Sequence, residues 1–185
     1  MTKSILEQFG EVIKPLKQSG ENTVASVLVD WVNERIKVAK EVLESNDKNA
    51  SRTLSQSIQP LPVVEIDGVI AVQVEANDYW DFVNSGVNGT EVKRGSEYSF
   101  TNKQPPVKSI RQWMFDRSIT TSKYFDKSGA IQIKQLVTEQ DFQGLAFAIA
   151  KGVKKKGQKA VPYMDIAFSE EALKDLENRI LELWQ

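Results

Sequence analysis

Three observations predict an α+β fold with long N-terminal helices, a small antiparallel sheet carrying a β-hairpin, and C-terminal helices. Residues 21–45 repeat apolar side chains at three- and four-residue steps. Around Asp67-Gly68 the period drops to two, between PVVEI and VIAVQVE. Beyond residue 107 the helical period returns in separate stretches. Strands do not alternate with helices, so a doubly wound parallel sheet is not expected. The length, 185 residues, suits a single domain. Within it, about 87–137 reads as an inserted exposed loop and helical region.

In chain order, Ile5, Leu6, Phe9, Val12, Ile13 and Leu16 mark one face of a first helix over 3–18 that Pro15 and Gly20 stop or kink. Trp31 anchors the buried face of the 21–45 helix, beside Val32, Ile36, Ala39 and Leu43. SRTLSQSI reads as a short helix or turn before the hairpin. Residues 79–84 suit a short helical turn, and the Asn88-Gly89 pair suits a chain reversal because both residues tolerate positive φ. Residues 91–106 are polar, with room for a short strand at 97–101. Pro105-Pro106 opens a helix that buries Val107, Ile110, Trp113, Met114 and Ile119. The stretch from 120 to 137 is ambiguous, with a strand expected at its end. Thr138 and Asp141 form an N-terminal cap, and Lys154-Lys155-Lys156-Gly157 closes that helix with cations at the negative end of its dipole. Ser169 starts a last helix in which Leu173, Leu176, Ile180, Leu183 and Trp184 run in step.

Composition narrows the chemistry. The chain has no cysteine and no histidine. That removes disulfides, thiolate metal sites, thiol nucleophiles and imidazole general bases. A formal charge of −1 gives no global field that selects nucleic acid or an acidic membrane. No apolar run approaches a membrane span, and the N-terminus lacks a signal-peptide core, so intracellular synthesis is expected. No phosphate-binding glycine motif occurs.

The densest stretch is NDYWDFVNSGVNGT, residues 77–90. Asp78, Asp81 and Glu91 miss the alternate spacing of a calcium loop. Asn88-Gly89-Thr90 has the form of a glycosylation acceptor, but the turn reading is preferred. Tyr79, Trp80, Phe82 and Val83, followed by Gly86, read as an aromatic wedge after the hairpin, packed partly in the core and partly at an interface. Lys151, Lys154, Lys155, Lys156 and Lys159 form a basic patch, either a solvated helix end or a contact for phosphates or an acidic partner. No base-reading motif accompanies it.

The order of several short motifs resembles one family. RTLSQSI precedes the hairpin PVVEIDGVIAVQVEA; Tyr79-x-x-Phe82-Val83-x-x-Gly86 follows; VPYMDIAF, residues 161–168, precedes the last helix. This pattern resembles the tail-completion and head–tail joining (neck) proteins of tailed bacteriophages. Family members often pass quickly from the glycine to the proline-aromatic segment, whereas about 75 residues intervene here. The resemblance implies a non-enzymatic virion protein without a cofactor, made in the host cytoplasm and built into the neck or tail. It would form or join a ring with itself and with neck, portal or tail neighbours, and DNA would pass through the lumen past the lysines. Two other classes compete: a nucleic-acid-associated accessory protein using Lys151–Lys159, and a histidine-free hydrolase using Asp78 and Asp81.

Overall fold

A computed structural model describes residues 14–15, 23–48 and 50–185. The elements are β1 (Lys14–Pro15), α1 (Val24–Ser45), α2 (Thr53–Ser57), β2 (Gln59–Pro60), β3 (Val64–Ile66), β4 (Val69–Ala71), β5 (Val74–Glu75), α3 (Trp80–Asn84), α4 (Val107–Asp116), β6 (Thr121–Phe125), β7 (Ile131–Gln135), α5 (Glu139–Lys156), α6 (Tyr163–Ala167) and α7 (Glu170–Glu182). The fold is α+β, with small antiparallel sheets.

The chain divides into two compact units. The first joins residues up to 46 with 53–78 and 162–185, and the second joins 47–52 with 79–161. The excursion expected at about 87–137 is therefore part of a wider unit, one that begins at the aromatic wedge and runs to Val161. Its contacts close locally: the end of α5 returns to residues 87–92.

In the first unit, α1 is the central element. Thr23 caps it: its side chain accepts from the Ser26 N–H, and Ser26 answers at the Thr23 N–H. Trp31, Val32, Ile36, Ala39 and Leu43 are buried, the face the sequence periodicity predicts. They form the core with Leu54, Ile58, Tyr163, Ala167 and Ala172. Each large side chain so buried contributes about 1.5–3 kcal/mol. Trp31 Nε1–H donates to the Ala172 carbonyl at 3.0 Å, and its ring meets Phe168 edge-on at 5.7 Å. At the surface Arg179 clamps the Glu34 carboxylate with two N–H bonds, 3.0 and 2.8 Å, and reaches Asp175 at 2.9 Å. The Arg179 hydrogen bonds lower the Glu34 carboxyl below its ordinary range.

The hairpin at Asp67-Gly68 forms as expected. Both residues have positive φ, 50° and 78°, the geometry that two-residue hairpins require. The three-stranded sheet runs β1-β3-β4. The helix expected over 3–18 lies outside the described residues except at Lys14–Pro15, and these pair as a strand with Glu65 and Val64. Pro15 explains the outcome: it has no N–H for a helix interior and is tolerated in an edge strand.

In the second unit, α4 and α5 pack through Met114, Leu136 and Ala146, with Ile110, Ile119, Phe142 and Ile149 around them. Phe115 stacks on Phe142 at 5.4 Å. Trp113, expected in the core, is instead exposed; Met114 takes the central position. The ambiguous stretch is a second hairpin, β6–β7. Asp126 builds its turn, accepting from Ser128 N–H (2.8 Å), Ser128 Oγ (2.6 Å), Ala130 N–H (3.0 Å) and Gln132 Nε2 (2.9 Å). These donors lower its carboxyl to about 2. Thr138 caps α5 with Asp141 as expected.

The last helix starts at Ser169 as expected, and its apolar residues differ in burial. Leu176, Ile180 and Leu183 are partly covered, while Leu173, Leu181 and Trp184 face outward. Ala172 is the buried residue of α7.

Candidate functional site

The aromatic wedge begins the second unit. Tyr79, Trp80 and Phe82 are 41, 36 and 44% exposed, and Val83 is partly buried. A five-residue helix would be weak alone. Here α3 is held at both of its outlets. Asp81 accepts from Ser85 Oγ at 2.6 Å and from the Tyr98 hydroxyl. The Val83 carbonyl accepts from Val161 N–H at 2.9 Å. Phe82 lies edge-on against Tyr98, with ring centroids 4.6 Å apart. Tyr98 therefore orients both a carboxylate and an aromatic ring of the wedge, a role that its sequence neighbourhood did not suggest.

The hydrogen bond to Asp81 has a measurable consequence. It favours the neutral phenol and raises the Tyr98 hydroxyl to about 12. The unfolded chain ionises near pH 10. The stabilisation is thus complete below about pH 10 and is lost as pH rises toward about 12. The difference in tyrosinate absorbance between the native chain and Tyr98→Phe is expected to titrate near pH 12. In Asp81→Asn that midpoint is expected to fall back toward about 10. An unchanged midpoint in Asp81→Asn would remove the carboxylate as the cause.

Residues 86–92 form a clamp with the end of α5 rather than the exposed loop expected from about residue 87. Val87 and Gln158 exchange backbone hydrogen bonds of 2.9 and 2.8 Å. Thr90 N–H donates to Lys154 O at 3.0 Å, and Glu91 N–H to Lys155 O at 2.9 Å. Three glycines permit this approach. A Cβ on Gly89 would lie 2.0 Å from the Lys155 carbonyl oxygen; one on Gly157 would lie 2.3 Å from that of Val87. Gly86, at φ +73°, would meet the Ala160 nitrogen at 2.6 Å. Gly86 is thus structural rather than a contact residue, since its backbone is buried beneath residues 158–160.

Asn88-Gly89 is also not a reversal, because neither residue adopts positive φ. Asn88 is buried. Its side-chain nitrogen donates to Ser96 O and to Ser99 Oγ (3.1 Å), and its oxygen accepts from Arg94 N–H at 2.6 Å. Its backbone bonds Tyr98 O at 2.8 Å and Phe100 N–H at 2.9 Å. A side chain so engaged pins residues 94–100 and is not presented as a glycan acceptor. The strand expected at 97–101 reduces to a bridge between Asn88 and Ser99.

The lysine patch divides by partner. Lys154 Nζ donates to Asn102 O at 2.9 Å, and Lys155 pairs with Glu91 at 2.6 Å. These two help hold the clamp. Lys151, Lys156 and Lys159 are exposed. The Lys156 carbonyl accepts from Arg94 Nε–H at 2.9 Å, which satisfies an orphan group of the helix end. Of the carboxylates considered as metal ligands, Asp81 is bound by Ser85 and Tyr98, and Glu91 by Lys155. Asp78 and Asp81 belong to different units. Among the described residues, no group of three or more acidic side chains is gathered as metal ligands, and no helix is long and apolar enough to cross a membrane.

Comparison with family models, with curated proteins and with solved structures finds no match.

Proposed function

We propose that the chain is a non-enzymatic structural subunit of a tailed-phage particle, built into the neck or the top of the tail, where it forms or joins a ring around the DNA path. The observation that carries this reading is the presented wedge. Tyr79, Trp80 and Phe82 are each partly exposed within four residues of chain, at the start of a short helix held by hydrogen bonds from Asp81 and Val83. Rigid aromatic groups of this kind anchor protein interfaces with little loss of conformational freedom. The order of the motifs at 52–58, 62–76, 79–86 and 161–168 supports the same reading. Neighbouring subunits and neck, portal or tail proteins are the proposed partners, and the virion is the proposed location. Lys151, Lys156 and Lys159 are the lysines available to DNA in the lumen, whereas Lys154 and Lys155 already have partners.

The test is made on particles of a phage that encodes this chain. Mass spectrometry is expected to find it in purified virions, and Trp80→Ala with Phe82→Ala is expected to yield heads and tails that do not join. Complete, infectious particles without the chain would overturn the reading. The exposed lysines also suit a nucleic-acid accessory protein. Salt-dependent duplex binding by a monomer, lost on charge reversal of Lys151, Lys156 and Lys159, would favour that alternative.

A further inference from the structure

Among the described residues, each unit carries an exposed apolar face on α7 or on the β6–β7 ribbon, and these two faces differ in charge. On α7 and its outlet, Leu173, Leu181 and Trp184 are 51, 54 and 79% exposed. With Glu177 they fall at i, i+4, i+8 and i+11, so they share one stripe. Residues 170–185 hold five acids (Glu170, Glu171, Asp175, Glu177, Glu182) against two bases, Lys174 and Arg179. Arg179 is already engaged by Glu34 and Asp175.

The second face belongs to the β6–β7 hairpin. Its register pairs Lys123 with Ile133, and Ile131 lies two residues before Ile133, which places these three positions on one side of the ribbon. Ile131 and Ile133 are 63 and 66% exposed, and Val137, just beyond the strand, is 77% exposed. All five residues of β7 are exposed, and the ribbon has two strands. Over residues 121–137 three lysines (Lys123, Lys127, Lys134) stand against one acid, Asp126, whose carboxylate is taken up by the turn. Lys134 pairs with Asp141, which leaves Lys123 and Lys127 to set the sign of the ribbon's surroundings. A two-stranded ribbon is marginal in water until a further strand or a helix covers its apolar side.

We propose that the β6–β7 ribbon of one copy docks on the α7 stripe of a second copy. Ile131, Ile133 and Val137 cover Leu173, Leu181 and Trp184, and Lys123 and Lys127 meet the acids of α7. The two surfaces are different, so the contact is heterologous. Each added copy leaves one ribbon and one stripe free, and association continues until it closes or runs on as a filament. The inference deepens the ring reading above and rests on it for the occupant, a second copy of this chain.

The experiment uses the purified full chain and measures its mass in solution. The native chain is expected to form species of three or more copies. Ile131→Glu with Ile133→Glu ruins the ribbon, and Leu181→Glu with Trp184→Glu ruins the stripe. Each variant alone is expected at 20.8 kDa, the mass of one chain. An equimolar mixture is expected at twice that mass and no higher, because the sound ribbon of one binds the sound stripe of the other and both outer ends are blocked. All four positions are exposed, and retained helical circular dichroism confirms folding. If an apolar variant does not fold, Lys123→Glu with Lys127→Glu replaces it and is expected to weaken association at least about tenfold. A native chain that stays at the mass of one copy overturns the proposal. So does a mixture that stays there, or a native dimer that the ribbon variant abolishes and the mixture does not restore. The phage reading fails separately, when virions lack the chain.

Discussion

Gly89→Ala is expected to destabilise the 79–161 unit by about 3–5 kcal/mol, through overpacking and the loss of buried backbone hydrogen bonds. The added methyl would sit 2.0 Å from Lys155 O and 2.4 Å from Gly157 N, both backbone atoms that no rotamer change can clear. The strands of the clamp must part. With them go the Val87–Gln158 pair and the Thr90 and Glu91 bonds to the end of α5. Gly157→Ala is expected to act similarly, since its Cβ meets Val87 O at 2.3 Å and its φ is +73°. Gly144→Ala is the internal control. Gly144 lies inside α5 with no heavy atom within 4 Å of an added Cβ, so alanine is expected to stabilise by about 0.5–1 kcal/mol. Denaturant unfolding of the three variants checks the set. Equal effects at Gly89 and Gly144 would show that the close approach is not what the glycine serves.

Trp31→Ala is expected to cost about 3–5 kcal/mol, the range for removing a large aromatic from a core. Trp31 is 3% exposed. It bridges α1 to α7 through the Ala172 carbonyl and touches Phe168. Trp31→Phe keeps much of the ring but drops the donor, and the expected cost is about 1–3 kcal/mol. Of the four tryptophans, the other three (Trp80, Trp113, Trp184) are each at least 36% exposed. Tryptophan fluorescence gives an independent reading. The native spectrum should retain a component inaccessible to soluble quenchers, and Trp31→Phe should remove it. Full quenching of the native chain would contradict the burial.

Legibility followed the number of physical roles a residue type can play. Asp67-Gly68 was readable because two consecutive positive φ values between β-branched runs have few other uses. Thr138 and Asp141 were readable because a hydroxyl and a carboxylate at that spacing satisfy helix N–H groups. Trp31 was readable from the α1 period. Gly89 was not: a glycine that supplies positive φ and one that only lacks a Cβ are the same letter. Asn88 was misread for the same reason, since an asparagine that tolerates a turn is also one that can saturate a buried network.

The second hairpin was obscure because every residue of β7 is exposed, so no inside–outside alternation separates its faces. On α7 the apolar residues fall on two stripes, one half-covered and one bare. The period shows that Leu173 and Trp184 run in step with Leu176, Ile180 and Leu183, but not which of them are covered. The wedge at Tyr79, Trp80 and Phe82 was visible as composition. The residues that hold it, Tyr98 and Ser85, were not, because their pairing with Asp81 depends on a chain path that no local pattern encodes.

The Trp31–Ala172 bond joins residues 141 positions apart. On the ribosome, at about 5–20 residues per second, Trp31 would emerge about 7–28 seconds before Ala172. Residues 79–161, the larger part of the second unit, leave in one uninterrupted run. Birth order therefore runs against spatial order. The middle of the chain can settle first, while the apolar side of α1 stands bare and waits, a natural client for a chaperone during that interval.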